Sequence, residues 1–313
     1  MMTDISIIIP YYNRRDLLPR TLESVASQSL LPDEIILVDN SSTDGSQQVA
    51  EQFCQRMRDS SCIVQLVSCP TPGAAAARNT GLGKATGKYV YFFDSDDEMS
   101  PDFVQEAARQ IRNESVDMVV FKTQIILPDG RAYHRNHGFS THPYHQILSP
   151  FLSTQTMLLR KDFLLQCGAW DGNLFYWNDW ELGVRLLQHL PKVRFVKDRY
   201  FHKIYAHGDS ITGDSLSARI PQIKEALGKV DEDIRPDSPD ARLSRKALYF
   251  RKTIIAAQIR RDGDINGSNA VMSIPVPSET SSLTRFEGAL LSAYIRMGGK
   301  GAWAIARYLL LWA

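Results

Sequence analysis

Cysteine is scarce in this 313-residue sequence, which has only Cys54, Cys62, Cys69 and Cys167, with no CxxC pair and no Cys/His spacing typical of a zinc site. Reduced, buried thiols in a cytoplasmic protein are the expectation. An excess of charge of either sign is also lacking: Lys and Arg total 36, Asp and Glu 35, for a net +1. Nothing global draws the chain to nucleic acid. Long apolar runs are missing as well, because residues 5–9 stop at Pro10 and residues 302–313 are interrupted by Arg307. Both are well short of the roughly 20 residues that span a bilayer, so neither reads as a signal peptide or a membrane helix. Low-complexity tracts and internal repeats are absent too, which excludes fibrous and wholly disordered classes.

What is present is an alternation. Short apolar runs at 5–9, 34–38, 63–67 and 89–93 are separated by amphipathic stretches near 16–28, 44–58 and 74–85. Four such β/α alternations predict a parallel, doubly wound sheet with helices on both faces. Sheets of this kind bind ligands beyond the carboxyl ends of their strands. The polar clusters lie there: Tyr11-Tyr12-Asn13-Arg14 after the first strand, residues 39–45 after the second and Asp94-Ser95-Asp96-Asp97 after the fourth. Farther on, a strand is expected at 117–121 and helices near 162–166 and from Asn178 to Leu190. Beyond about residue 215 the pattern is helical, with a Ser-rich linker near 263–282.

Asp94-Ser95-Asp96-Asp97 carries the chemistry. Three carboxylates within four residues repel one another unless a cation neutralises them, and Mg²⁺ or Mn²⁺ suits carboxylates that leave positions open for water and phosphate. The bland alternative is a solvated acidic turn with Asp97 capping the next helix. Asp44 or Thr43 would similarly cap a helix, whereas Asp39, directly after a buried strand, is placed to accept a hydrogen bond from a base N–H. Two nucleotide motifs fail on spacing. Gly81, Gly83 and Gly87 give GxGxxxG and precede a strand, and residues 83–88 are one short of a P-loop.

Taken together, SIIIPYYNR at 6–14, EIILVDNSSTDGS at 34–46, GAAAARNTGLGKATGKYVYFFDSDD at 73–97, CGAWDGNLFYWNDWELGVRLL at 167–187 and HGDSIT at 207–212 resemble family-two glycosyltransferases, which are inverting nucleotide-sugar enzymes with the GT-A fold. The match covers about the first 210 residues. It implies an α/β catalytic domain over 1–214, with a mixed, mainly parallel sheet flanked by helices, and a helical extension over 215–313. It also implies roles. Tyr12 stacks on the base, Asp39 accepts from it, and Arg78 lies beside it, held by Asp44. Pro10 and Ser95 complete the donor side, with Asp94 at ribose or metal. Asp96, Asp94 and His207 are the metal set. The family's Glu-Asp pair is Asn178-Asp179 here, which leaves Asp179 as general base and Glu181 in reserve.

The resemblance further implies a UDP-linked donor, Mn²⁺ or Mg²⁺ as cofactor, and a glycan or lipid-linked acceptor in surface polysaccharide assembly. A nucleotidyltransferase and a non-catalytic nucleotide-sugar scaffold are the contrasting readings. His134, His137, His142 and His145 invite a zinc reading that the absence of nearby Cys weakens. Trp170, Tyr176, Trp177 and Trp180 could stack on sugar faces or form core. In the tail, Arg296, Lys300, Trp303 and Arg307 share a helical stripe followed by apolar residues 309–312. Gly298, Gly299 and Gly301 break that helix. Docking on the catalytic domain and contact with an anionic membrane are both open to it.

Overall fold

In the computed structural model, which describes residues 3–112, 116–134, 139–206, 215–275 and 281–310, the first third follows the predicted alternation. Strands β1 (Ile5–Tyr11), β2 (Glu34–Asp39), β3 (Ile63–Ser68) and β4 (Tyr89–Phe92) alternate with helices α1 (Leu18–Ala26), α2 (Ser46–Arg56) and α3 (Ala74–Lys84). They pair in parallel in the order β3-β2-β1-β4. Side chains of β1 and β2 are buried throughout, as a strand covered on both faces requires. Ile5, Ile7, Ile9, Ile35 and Leu37 point to one core with Leu18, Leu22 and Phe53. Ile8 and Val38, of opposite parity, lie under α3, where a Cβ on Gly81 would stand 2.5 Å from Ile8 Cγ2 and 3.0 Å from Val38 Cγ2. Glycine lets that helix seat.

Beyond β4 come β5 (Glu98–Met99), α4 (Phe103–Ile111), β6 (Met118–Ile126), β7 (Ala132–His134), α5 (Pro143–Leu148), β8 (Met157–Arg160), α6 (Lys161–Gln166), α7 (Asn178–Gln188) and β9 (Val193–Tyr205). The sheet continues β4-β8-β6-β9-β5, with β8 antiparallel to both β4 and β6, β9 parallel to β6, and β7 pairing with β6. The sheet is therefore mixed. Helices α8 (Ile220–Asp233), α9 (Ala241–Arg261), α10 (Ile265–Met272), α11 (Ser282–Arg296) and α12 (Ala302–Leu310) complete the described chain.

Two compact units emerge. Unit one comprises Met1–His137, Leu152–Phe175 and Pro191–Gly208, and unit two Gly138–Phe151, Tyr176–Leu190 and Asp209–Ala313. Unit one holds the sheet. Unit two is helical, built on α9, which contacts α5, α8, α10, α11 and α12. Residues 263–282, expected as a linker, contain helix α10, because Asp264 caps it by accepting a hydrogen bond from the Gly267 amide at 2.7 Å. The tail is split between α11 and α12 as its glycines imply, with Gly298 and Gly301 at φ +87° and +81°. No helix among the described residues is long and apolar enough to cross a membrane. None of the four cysteines forms a disulfide.

Candidate active site

In unit one, Pro10 opens the site by ending a ladder. The Phe93 amide donates to Ile8 O at 2.9 Å, and the next β1 residue facing β4 is Pro10, which has no N–H to give. Pairing stops at Ile8 and Phe92, so Asp94, Ser95 and Asp96 turn away from the sheet. On the other side β1 continues, pairing Tyr11 with Asp39 at the carboxyl end of β2.

The loops after β1 and β2 are locked to each other by side chains. Thr43 N donates to Asn13 Oδ1 at 2.8 Å, Asn13 N to Ser42 Oγ at 3.1 Å, Arg14 N to Ser46 Oγ at 2.7 Å and Arg15 N to Asp44 Oδ2 at 3.0 Å. Asn13 and Ser41 adopt left-handed φ values of +50° and +67°, a conformation that Asn tolerates well. Asp39 is almost fully buried, and its Oδ1 accepts from Ser42 N at 2.9 Å. Tyr12, 55% exposed, leaves a ring face open above this loop pair. Asn40, to which the sequence reading gave no role, ties in the third loop: its Nδ2 donates to Cys69 O and Thr71 O, and its Oδ1 accepts from Gly73 N at 2.9 Å. The exposed ring of Phe175 stands against Gly73, which makes it a further aromatic candidate.

Arg78 corrects one expectation. Its partner is Asp94, with Nη2 2.9 Å from Oδ1, and its guanidinium lies 4.5 Å from the centre of the Trp170 ring. Asp44 instead serves its own loop, accepting from Ser46 and Arg15. Partial burial pushes the Asp44 carboxyl up, but those hydrogen bonds outweigh it and hold the group below its ordinary range. Trp170 is buried, hydrogen-bonded through its backbone to both ends of the Asn79 amide and edge-on to Phe92. It supports Arg78 and offers no face to a sugar.

Around the acidic turn the cations are Arg14, whose Nε is 3.6 Å from Asp96 Oδ2, and Arg20, which donates to the Asp96 carbonyl and stacks on Tyr205 at 3.8 Å. Both lie within or next to the segment with the Tyr-Tyr-Asn-Arg run, yet charge alone gave them no role in the sequence. Asp97 does not cap a helix. It is buried and accepts from Tyr205 N at 2.8 Å and from the Gln155 side chain. Burial, with the charges of Asp96 and Asp94 beside it, pushes its carboxyl up to about 8. It therefore buttresses the turn from below, together with Ser95, which is also buried.

The side chains of Asp94 and Asp96 are 34% and 18% exposed. Two partly open carboxylates with no soft ligand suit a hard divalent cation whose remaining positions go to phosphate and water. Among the described residues no group of three His, Cys, Asp or Glu side chains is preassembled for a metal. His207 lies outside the described residues, as does His137. His142 pairs with Asp240 at 2.9 Å, and burial holds His145 down to about 4.

Unit two contains Asp179. It lies in the first turn of α7, after Trp177 in the left-handed region, is half-buried, and accepts from Trp180 N at 2.8 Å through Oδ1. Glu181 is buried completely and clamped by Arg185 Nε and Nη2 at 2.5 and 3.0 Å. Burial raises it to about 7 against the pull of Arg185, with Asp233 adding a like charge. Without access to solvent it drops out as a reserve base. Tyr176 and Trp180 are core, and Trp180 Nε1 donates to Gln146 O and Ile147 O. Only Trp177 of the four expected stacking aromatics retains partial exposure.

Comparison with known proteins bears on the family and the fold. The model of glycosyl transferase family 2 matches residues 6–174, just over half the chain. Glycosyltransferase GlyA of Streptococcus pneumoniae is 26% identical over 258 residues, covering 82% of this chain and 31% of GlyA. The chain thus spans about a third of that relative's length. Among solved structures, S. aureus TarS 1-349 in complex with UDP-GlcNAc superposes with a TM-score of 0.67 at 18% identity, over 95% of this chain and 88% of that one. Mannosyltransferase PcManGT from Pyrobaculum calidifontis, in complex with GDP-Man and Mn²⁺, gives 0.54 at 16% identity over 96% and 86%. At these identities the structures attest the GT-A fold.

Proposed function

The chain belongs to glycosyl transferase family 2, and from that premise we propose an inverting, metal-dependent transfer of a sugar from a UDP-linked donor to a hydroxyl of a glycan or lipid-linked glycan. Surface polysaccharide assembly in the cytoplasm is the proposed setting. The observation that carries the reading is the gathering of Tyr12, Asp39, Arg78, Asp94 and Asp96 around the carboxyl ends of β1, β2 and β4. The UDP-GlcNAc complex of TarS and the Mn²⁺ complex of PcManGT support it.

Tyr12 offers its open face to the base, and the second carboxylate oxygen of Asp39 is left for a base N–H, since the first is held by Ser42. Asp94 and Asp96 would hold Mn²⁺ or Mg²⁺, with His207 as a proposed third ligand. When bound, the ion offsets charge on the departing diphosphate, so no protein acid is required there. Arg78 orients Asp94. Asp44, Pro10 and Ser95 act by shaping the loops. Asp179 takes the proton from the acceptor hydroxyl as it attacks the sugar C1.

UDP release from a panel of UDP-sugars, with Mn²⁺ and simple saccharide acceptors, tests this. Asp179→Asn is expected to lower turnover by roughly 10²–10⁴-fold while UDP affinity holds. Undiminished turnover would remove Asp179 from the chemistry. A nucleotidyl-linked product in place of UDP would point to nucleotidyl transfer, and UDP binding without turnover by the unaltered chain would point to a scaffold.

A further inference from the structure

The stripe expected on the tail is rearranged in unit two. Trp303 is half-buried, its ring 5.6 Å from the buried Arg251, so packing takes up part of the anticipated face. A different apolar face is open on α11. Leu283, Phe286 and Leu290 are 59%, 61% and 55% exposed, and Met297, just past the helix, is 81% exposed. At 3.6 residues per turn these positions fall within an arc of about 60°. The opposite side of α11 is buried through Thr284, Gly288, Leu291 and Ile295, so the helix is packed on one side and apolar on another.

Charge decides what could cover that face. From Ser281 to Leu310 the cations Arg285, Arg296, Lys300 and Arg307 are all exposed, and the only acid is Glu287, which is buried and paired with Lys246 at 3.0 Å. Arg285 and Arg296 share one side of α11, about 100° from the apolar arc. An exposed apolar arc on a segment whose exposed charges are all cations fits a helix lying in the plane of an anionic bilayer, with its apolar side chains among the acyl chains and its guanidinium groups reaching the phosphates. A second copy would bring like charges face to face, which disfavours it.

We propose that α11, with the segment leading into α12, is a docking surface for an anionic lipid bilayer. The proposal does not depend on the catalytic reading. The test is co-sedimentation of the full chain with phosphatidylcholine vesicles, with and without phosphatidylglycerol. Binding is expected only to the anionic vesicles and to weaken in high salt. Phe286→Asp with Leu290→Asp, and separately Arg285→Glu with Arg296→Glu, should each reduce it about tenfold or more. All four side chains are exposed, so melting temperature and stabilisation by UDP should not change. Failure to bind anionic vesicles, equal binding to neutral ones, or undiminished binding by both double variants would overturn the proposal. So would a concentration-dependent dimer that the Phe286/Leu290 variant dissolves, since that would make a second copy the occupant.

Discussion

At the strand ends of unit one, Asp94 and Asp96 are partly open to solvent and each has a guanidinium beside it, from Arg78 and Arg14. Under α7 in unit two the arrangement is inverted. There a buried cation, Arg251, is set against Trp177, Trp180 and Trp303 at 4.6, 4.3 and 5.6 Å, with the carbonyls of Ile147 and Leu148 at 3.3 and 3.5 Å as acceptors. Burial lowers that guanidinium to about 9, with Tyr176 and Asp179 pulling the other way. The first region is set by charges that the proposed ion and diphosphate would rearrange. The second is fixed by aromatic packing. Mobile charge suits a donor that arrives and leaves as an anion, and rigid packing suits a carboxylate that must keep one orientation.

The largest effect that could break this contrast is expected from Trp180→Ala. The ring is buried and its N–H bonds to Gln146 O and Ile147 O would be lost, so chemical denaturation should show a loss of about 3–5 kcal/mol. If unit two is set by packing and the donor loops are not, UDP affinity measured below the transition should hold. A large loss of affinity would show that the contrast is false.

A smaller effect sharpens the donor side. Tyr12→Ala removes an exposed ring that packs into no core, so stability should be unchanged within roughly 0.5 kcal/mol. UDP affinity, measured by calorimetry, should fall by about 1–3 kcal/mol, the range for base stacking on an aromatic ring.

The resemblance and the apolar spacing made the catalytic half legible in particular places. Strands β1 to β4 and helix α3 lie within two residues of their expected ends, because the runs of β1, β2 and β4 are buried throughout and each run is bounded by a turn, while β3, at the sheet edge and partly exposed, is fixed by its pairing with β2. Asp39 stands out in the sequence because a carboxylate directly after a buried strand has few structural uses, and Asp94 and Asp96 because clustered carboxylates repel one another unless a cation neutralises them. What stayed hidden depended on partners distant in sequence. Nothing local tells Arg78 to choose Asp94 over Asp44, or shows that Trp170 and Trp180 are core when Phe175 is exposed. The short strands β5, β7 and β8 hold two to four residues each, too few for a period to show. α10 was hidden by its polar composition, and its start depends on one cap at Asp264.

The smallest expected effect concerns the core beneath the acidic turn. His202 is fully buried, its Nε2 2.7 Å from the Tyr91 hydroxyl, and burial lowers it to about 3. Its ordinary value is 6.5, so between these values the unfolded chain binds the extra proton and stability falls as pH falls. Melting from pH 7 down to pH 5 should reveal this loss, on the order of 1–2 kcal/mol from this group. His202→Asn should flatten the slope in that window. An unchanged slope would move the acid sensitivity elsewhere.

The turn after β4 and the loops after β1 and β2 are proposed to form one site for a nucleoside diphosphate and a divalent cation. Thermal shift with UDP, GDP and ADP, each with and without Mn²⁺, tests it most directly, with Asp96→Asn as control. At a hundredfold over the dissociation constant a ligand adds about 2.7 kcal/mol, which is easily seen. Stabilisation by UDP that requires both Mn²⁺ and Asp96 is the expected result. Absence of a shift with every nucleotide at saturation, or a UDP shift indifferent to Mn²⁺ and to Asp96→Asn, would contradict it.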